Sequence, residues 1–318
     1  MRTRTRKYRM VGPLIAALTA AVPLSAPAAP AHADRHYVVV RLDTLGGTAA
    51  GANSIDNRGW VAGSSNLAGN AAEHATLWFG RTKIDLDTLG GPNSGVYWPV
   101  KSDNNEIVGI SETDTADPLG ETWSCAAFFA NPTGNTCLGF VWRDGVMTAL
   151  PTLGGNNGYA AGANNRGQVI GWAENTVHDP TCVAPQVLQF RAVVWEPREG
   201  RVQELSPLAG DSTSAATAIN DEGAVVGISG SCDVAVGRFS AAHAVRWEDG
   251  APTDLGNLGG VAWNTPTAIN HRGDIAGFSD LPGDQGGGIR AHAVLWERGQ
   301  SIQDLGTLDG DVLSLAFG

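Results

Sequence analysis

The chain has 318 residues, with 21 Lys and Arg against 32 Asp and Glu, a formal net charge of −11 at pH 7. An acidic surface repels phosphate backbones and anionic lipid, so neither nucleic acid nor a membrane surface is an expected partner. No stretch beyond the first 33 residues is apolar enough to span a bilayer, and the 42 glycines stand among regularly recurring Val, Ile, Leu and Trp, which argues for a packed, turn-rich core.

The first segment in chain order reads as a leader. Arg2, Arg4, Arg6, Lys7 and Arg9 form a basic region, "VGPLIAALTAAVPLSA" is an apolar run, and "AHA" at 31–33 is a small-x-small cleavage signal. This is the pattern of a secretory signal peptide cut after Ala33, leaving one domain over 34–318. A merely solvated basic tail would have no need of the apolar run. Removing the five basic residues takes the formal charge to −16.

A repeat follows. "LDTLGG" at 42–47 returns unchanged at 86–91, and then as "LPTLGG" at 150–155, "LSPLAG" at 205–210, "LGNLGG" at 255–260 and "LGTLDG" at 305–310. After each of the first five comes a turn motif: "SIDNRGWVAG", "VKSDNNEIVG", "GANNRGQVIG", "AINDEGAVVG" and "AINHRGDIAG". Then come a variable insert and a tryptophan run: "HATLW", "LGFVW", "RAVVW", "HAVRW" or "HAVLW". The turn position holds Gly59, Gly167, Gly223 and Gly273, with Asn105 in the second repeat. Asn is the residue after glycine that best accepts positive φ, so a left-handed hairpin turn is expected there. The tryptophan runs alternate as half-buried strands do. Turns such as "EDG" lead to a fourth short strand, and no window carries a capped helical period.

Four short antiparallel strands about every 50 residues are the unit of a β-propeller blade. The fold expected is therefore an all-β, propeller-like array of about five four-stranded repeats. The segment 37–43 resembles a fourth strand lacking its own blade, and "SLAFG" at 314–318 resembles the start of a sixth repeat. The expectation is an incomplete six-bladed ring, truncated in its last blade; a five-bladed ring is the alternative. Trp78, Trp142, Trp195, Trp247 and Trp296 read as blade-to-blade core. His74, His243 and His292, replaced by Leu138 and Arg191 in two repeats, read as packing or hydrogen-bonding residues rather than metal ligands.

The strings "TAINDEGAVVGIS", "AHAVLW" and "DLGNLGG" resemble the HAF repeat of probable extracellular bacterial proteins, over about 37–318. The name-giving Phe is Thr or Val here. The resemblance implies a secreted bacterial protein and supplies no catalytic residues.

The second-to-third strand inserts span 11, 29, 20, 16 and 15 residues and should share one face. Trp123 and Trp172 from these loops, with Tyr97, Trp98, Tyr159 and Trp263 from the connections between repeats, are the ligand-binding candidates. They would stack on carbohydrate or peptide, or else pin their own loops. Cys125 and Cys137 share an insert and are paired, leaving Cys182 with Cys232, as an even cysteine count in an exported chain favours. Asp114, Asp117, Glu121, Asp179, Asp280 and Asp284 lie in the inserts without forming a catalytic motif. No metal or other cofactor is expected. The reading is a non-catalytic binding or scaffold protein at the cell exterior, with a polysaccharide hydrolase or lyase as the alternative.

Overall fold

The computed structural model describes residues 38–98, 102–283 and 289–317. The leader with its cleavage site, and Asp284 among the insert carboxylates, lie outside the described residues. Leu42–Gly318 makes one compact unit.

Among the described residues twenty strands form five sheets, each in strict chain order. The first holds β1 (Gly46–Ile55), β2 (Trp60–Leu67), β3 (Glu73–Phe79) and β4 (Thr82–Asp85). The second holds β5 (Gly90–Gly95), β6 (Ile107–Ala116), β7 (Asn135–Arg143) and β8 (Val146–Ala149). The third holds β9 (Gly154–Ala163), β10 (Val169–His178), β11 (Leu188–Glu196) and β12 (Arg201–Leu205). β13 (Thr213–Ile219), β14 (Val225–Gly230), β15 (His243–Glu248) and β16 (Ala251–Asp254) make the fourth. β17 (Thr265–Ile269), β18 (Ile275–Asp280), β19 (Ala291–Trp296) and β20 (Gln303–Asp304) make the fifth. The strands within each sheet pair antiparallel, and each sheet packs on the next, so the protein is a five-bladed β-propeller. Among the described residues the only α-helix is the one-turn α1 (Trp123–Ala126), in the second insert.

The blade turns carry the backbone that the sequence requires. Asn105 has φ +66, close to the +81 of Gly59 and Gly167 in the same position. The repeated LGG motif makes two demands. Its first glycine is left-handed, with φ +108 at Gly90. Its second lies against the neighbouring strand, where a Cβ on Gly91 would come 2.5 Å from the Thr113 carbonyl oxygen. The preceding leucine amide is held by a serine of the second strand, as in Leu89 N–H to Ser111 Oγ at 2.9 Å and Leu258 N–H to Ser279 Oγ at 2.8 Å. The hexamer is thus the connector from the outer strand of one blade to the inner strand of the next.

The core lies between blades. Trp195 and Trp247 are each 1 % exposed, and Trp78, Trp142 and Trp296 are also buried. Four of these indoles reach back to the connector before their own blade. Trp78 donates to the Asp43 carbonyl at 2.8 Å, Trp195 to Pro151 at 2.9 Å, Trp247 to Ser206 at 2.7 Å and Trp296 to Gly256 at 3.2 Å. Burying an indole while satisfying its N–H accounts for a tryptophan at the end of these third strands.

The two ends of the repeat array differ from each other. Residues 38–44 are not assigned to a strand. Residues 314–317 are also unassigned to a strand, yet they repeat the contacts of an inner strand. Thr267 Oγ1 donates to the Ala316 carbonyl at 2.7 Å, as Thr217 does to Pro266, and Ser314 Oγ accepts from Ala293 N–H at 2.8 Å, as Ser214 does from Ala192. At the other side β1 is exposed along most of its length, where β9 and β13 are buried.

Candidate functional site

The insert face is closed by its own loops. Trp123 of α1 donates from Nε1 to the Ala235 carbonyl at 2.8 Å, linking the second and fourth inserts. Cys182 and Cys232 form a disulfide between the third and fourth inserts, and Cys125 is bonded to Cys137. Both expected pairings are present. Cys137, however, lies inside β7 and is fully buried, so this bridge ties the insert to a blade strand rather than loop to loop. Trp263, at φ +53, donates its backbone N–H to the Arg238 carbonyl at 3.3 Å and joins the fifth blade to the fourth insert.

The aromatic candidates are distributed differently from their expected loop positions. Tyr159 lies in β9 and Trp172 in β10; the two are 4 % and 1 % exposed. The repeat motifs understate how far these strands run, which is why loop positions are expected from sequence and strand positions are found. Tyr97 and Trp98 directly follow β5 on the inner side and are half-buried. Phe128 of the second insert lies between two of them, with ring centroids 5.3 Å from Tyr97 and 4.8 Å from Tyr159. Trp172 packs on Phe190 at 5.6 Å, and Trp98 on Phe317 at 5.9 Å. The structure therefore brings Tyr97, Tyr159 and Phe128 together as one stack, while Trp98, Trp123, Trp172 and Trp263 each have separate neighbours. Phe128 lies in an unpatterned insert, and no motif singles it out.

Of the insert carboxylates, Glu121 meets the strand residue Glu174 beneath this closure; the two are 1 % and 0 % exposed. Glu121 Oε1 accepts from the backbone N–H of Val187 at 2.9 Å and of Leu188 at 2.5 Å. Glu174 Oε2 accepts from Asn156 and Asn157 N–H at 3.1 and 2.8 Å. Gln186 Nε2 bridges the two, at 2.9 Å from Glu174 and 3.4 Å from Glu121. Burial, and then the neighbouring Glu121 carboxylate, push the Glu174 pKa up to about 7. Glu174 lies in β10 and is not among the sequence candidates. Asp117 accepts from Asn157 Nδ2, Asp179 caps its own loop through Thr181, and Asp280 accepts from Arg290 N–H. Asp114 is exposed beside Thr115.

On the outside of the blades a second pattern appears. In four of the blades, a basic or imidazole side chain four residues before the tryptophan faces an acid. His74 meets Asp85 at 2.8 Å, His292 meets Asp304 at 2.9 Å and Arg191 meets Glu204 at 3.4 Å. His243 turns instead to Asp211 at 2.9 Å. Burial raises the Asp85 pKa, but the His74 hydrogen bond and the Asp87 amide outweigh it and hold that carboxyl below its ordinary value. The register of the third and fourth strands is shared between the first two blades, with Thr76 opposite Asp85 and Phe140 opposite Ala149. In the second blade the paired positions are therefore Leu138 and Ala149. There the ion pair is replaced by two apolar side chains.

A groove of about 720 Å³ opens at this place. Leu89, Leu138, Leu150, Pro118 and Pro151 supply its apolar wall, with hydroxyls from Thr113 and Thr136. β8 runs to its edge and, among the described residues, pairs with β7 alone, which makes it the edge strand of its sheet. A smaller space of about 270 Å³ lies around the axis at the opposite face. A polar relay of turn residues runs around it, from Asn57 to Asp103, Asn165 and Asp221, at 2.6 to 3.0 Å. This relay ties the blades together.

A comparison of the chain with protein-family models found no match, and a comparison with curated proteins found none either.

Proposed function

We propose that the protein is a non-catalytic, exported binding propeller, and that an extended peptide lies along the groove of the second blade. The observation that carries this reading is the replacement of the ion pair by Leu138 and Ala149 at the site of the groove. A packed scaffold gains nothing by placing two apolar side chains at a surface position that is polar in its other repeats. A ligand surface does gain, through the apolar area removed from water on binding. The free edge of β8 offers backbone partners to an extended chain, and the wall beside it takes alternate side chains. Carbohydrate fits less well, because Tyr159 and Trp172 are covered and present no open ring face for a sugar.

Export is supported by the leader pattern and by two disulfides, which persist in oxidising compartments. Membership of the HAF-repeat proteins is proposed on the repeat motifs alone. The hydrolase or lyase alternative needs two carboxyls facing a substrate cleft. Glu121 and Glu174 are the pair that meets, and backbone amides behind the closed inserts occupy both.

The test is a random-peptide selection on the purified protein, counter-selected on Leu138→Asp, beside a glycan array and a hydrolysis screen. Peptides rich in apolar residues, weakened at least about tenfold by Leu138→Asp, are expected. Glycan binding or glycan cleavage without peptide binding would overturn the reading.

A further inference from the structure

The second insert is held in three ways. The Cys125–Cys137 bridge fixes it to β7, the Trp123 indole reaches Ala235, and Glu121 grips the loop between β10 and β11 through Val187 and Leu188. The third attachment is unusual in its charge. Glu121 enters a buried space that already contains Glu174, and among the described residues neither carboxyl has an ion-pair partner. The other titratable groups near them are mostly acidic as well, the exceptions being the exposed His178, which faces Leu188 in the ladder, and Arg191, whose charge acts on Asp179 and Glu204. Asp117 faces Asn157 on the insert side, Asp179 faces Gln189 on the side of the loop, and Glu112 lies behind the insert on Asn93 and Thr133. The Tyr159 phenol on β9 is buried and is neutral across the physiological range.

Gln186 cannot satisfy this arrangement unaided. Its Nε2 carries two hydrogens and stands within hydrogen-bond reach of three acceptors: Glu174, Glu121 and the Leu188 carbonyl. Two ionised carboxylates there would be desolvated and mutually repelling, which a buried site does not sustain without a counter-charge or a proton.

We infer that docking of the second insert onto the third blade is coupled to one proton held by the Glu121–Glu174 pair, so that the insert closes in acid and loosens in base. The elevated affinity of Glu174 for a proton agrees with this geometry, and it places the change near neutral pH. Loosening has a defined consequence. The insert carries Phe128, which covers Tyr97 and Tyr159. With the disulfide as pivot, movement at Glu121 uncovers those two rings. The device is a proton-controlled cover over an aromatic surface, adjoining the groove of the second blade at Pro118 and Asn156.

Hydrogen–deuterium exchange tests it on the intact, oxidised chain, with rates corrected for the intrinsic pH dependence. The amides of Val187 and Leu188 and those of the insert are followed at pH 5.5 and 8.5. Their protection is expected to fall at least about tenfold at the higher pH in the wild type, and to remain at its acidic level in Glu174→Gln. Equal protection at both pH values in the wild type overturns the inference whether or not the variant folds. An equal loss in a folded Glu174→Gln overturns it as well.

Discussion

Replacing Glu174 with Gln should remove most of the pH dependence of stability between pH 5 and 8. The folded-state pKa of Glu174 is raised by burial and by Glu121 from 4.5 to about 7. Between these values the folded chain binds more protons than the unfolded chain, so stability falls as pH rises through the window and levels off above it. Integrated from pH 5 to pH 8, one such group removes roughly 2 to 3 kcal/mol. In Glu174→Gln the new amide has no charge to lose. Its oxygen can still accept from Asn156 and Asn157, and Gln186 can turn its unpaired Oε1 toward the new NH₂ group. The assay is urea unfolding of both proteins at half-unit steps of pH, under non-reducing conditions. The wild type should lose roughly 2 to 3 kcal/mol across the range, and the variant less than about 1. Parallel curves would refute the reasoning, since the pH dependence would then come from other groups.

Other outcomes are fixed by packing and backbone. Trp195→Ala empties a site that is 1 % exposed and leaves the Pro151 carbonyl unpaired, so equilibrium unfolding should show a loss of about 3 to 5 kcal/mol. Asn105→Gly relieves a left-handed Asn and should raise stability by a few tenths to about 1 kcal/mol, while Gly223→Ala, at φ +91 with Arg166 Nη2 2.5 Å from the new Cβ, should lower it; thermal melts distinguish the two signs. Removing the Cys182–Cys232 bridge, with a separation of 50, should cost more in chemical denaturation than removing Cys125–Cys137, with a separation of 12; loop entropy gives about 4 against about 3 kcal/mol.

Much of the fold was readable because each blade repeats the same physical demands. Asn105 in a row of glycines identified a left-handed turn, and the evenly placed tryptophans identified the blade interfaces. The disulfides followed from where the cysteines fall between repeat motifs. Strand length was not readable, because β9 and β10 continue past their motifs with residues of no clear alternation, and this moved Tyr159 and Trp172 out of loops. Neither was the pairing of Glu121 with Glu174, which joins an insert to a strand 53 positions later through the fold alone. The groove lay in between. Leu138 was visible as a departure from His, but its meaning depended on the register that sets it against Ala149.

The groove of the second blade is proposed to hold a peptide. Exchange measurements with and without a selected peptide test it most directly. New protection is expected over 113–118, 136–138 and 146–156, and none around Asn57, Asp103, Asn165 and Asp221. Protection confined to that opposite face, with the Leu138 region unchanged, would contradict it.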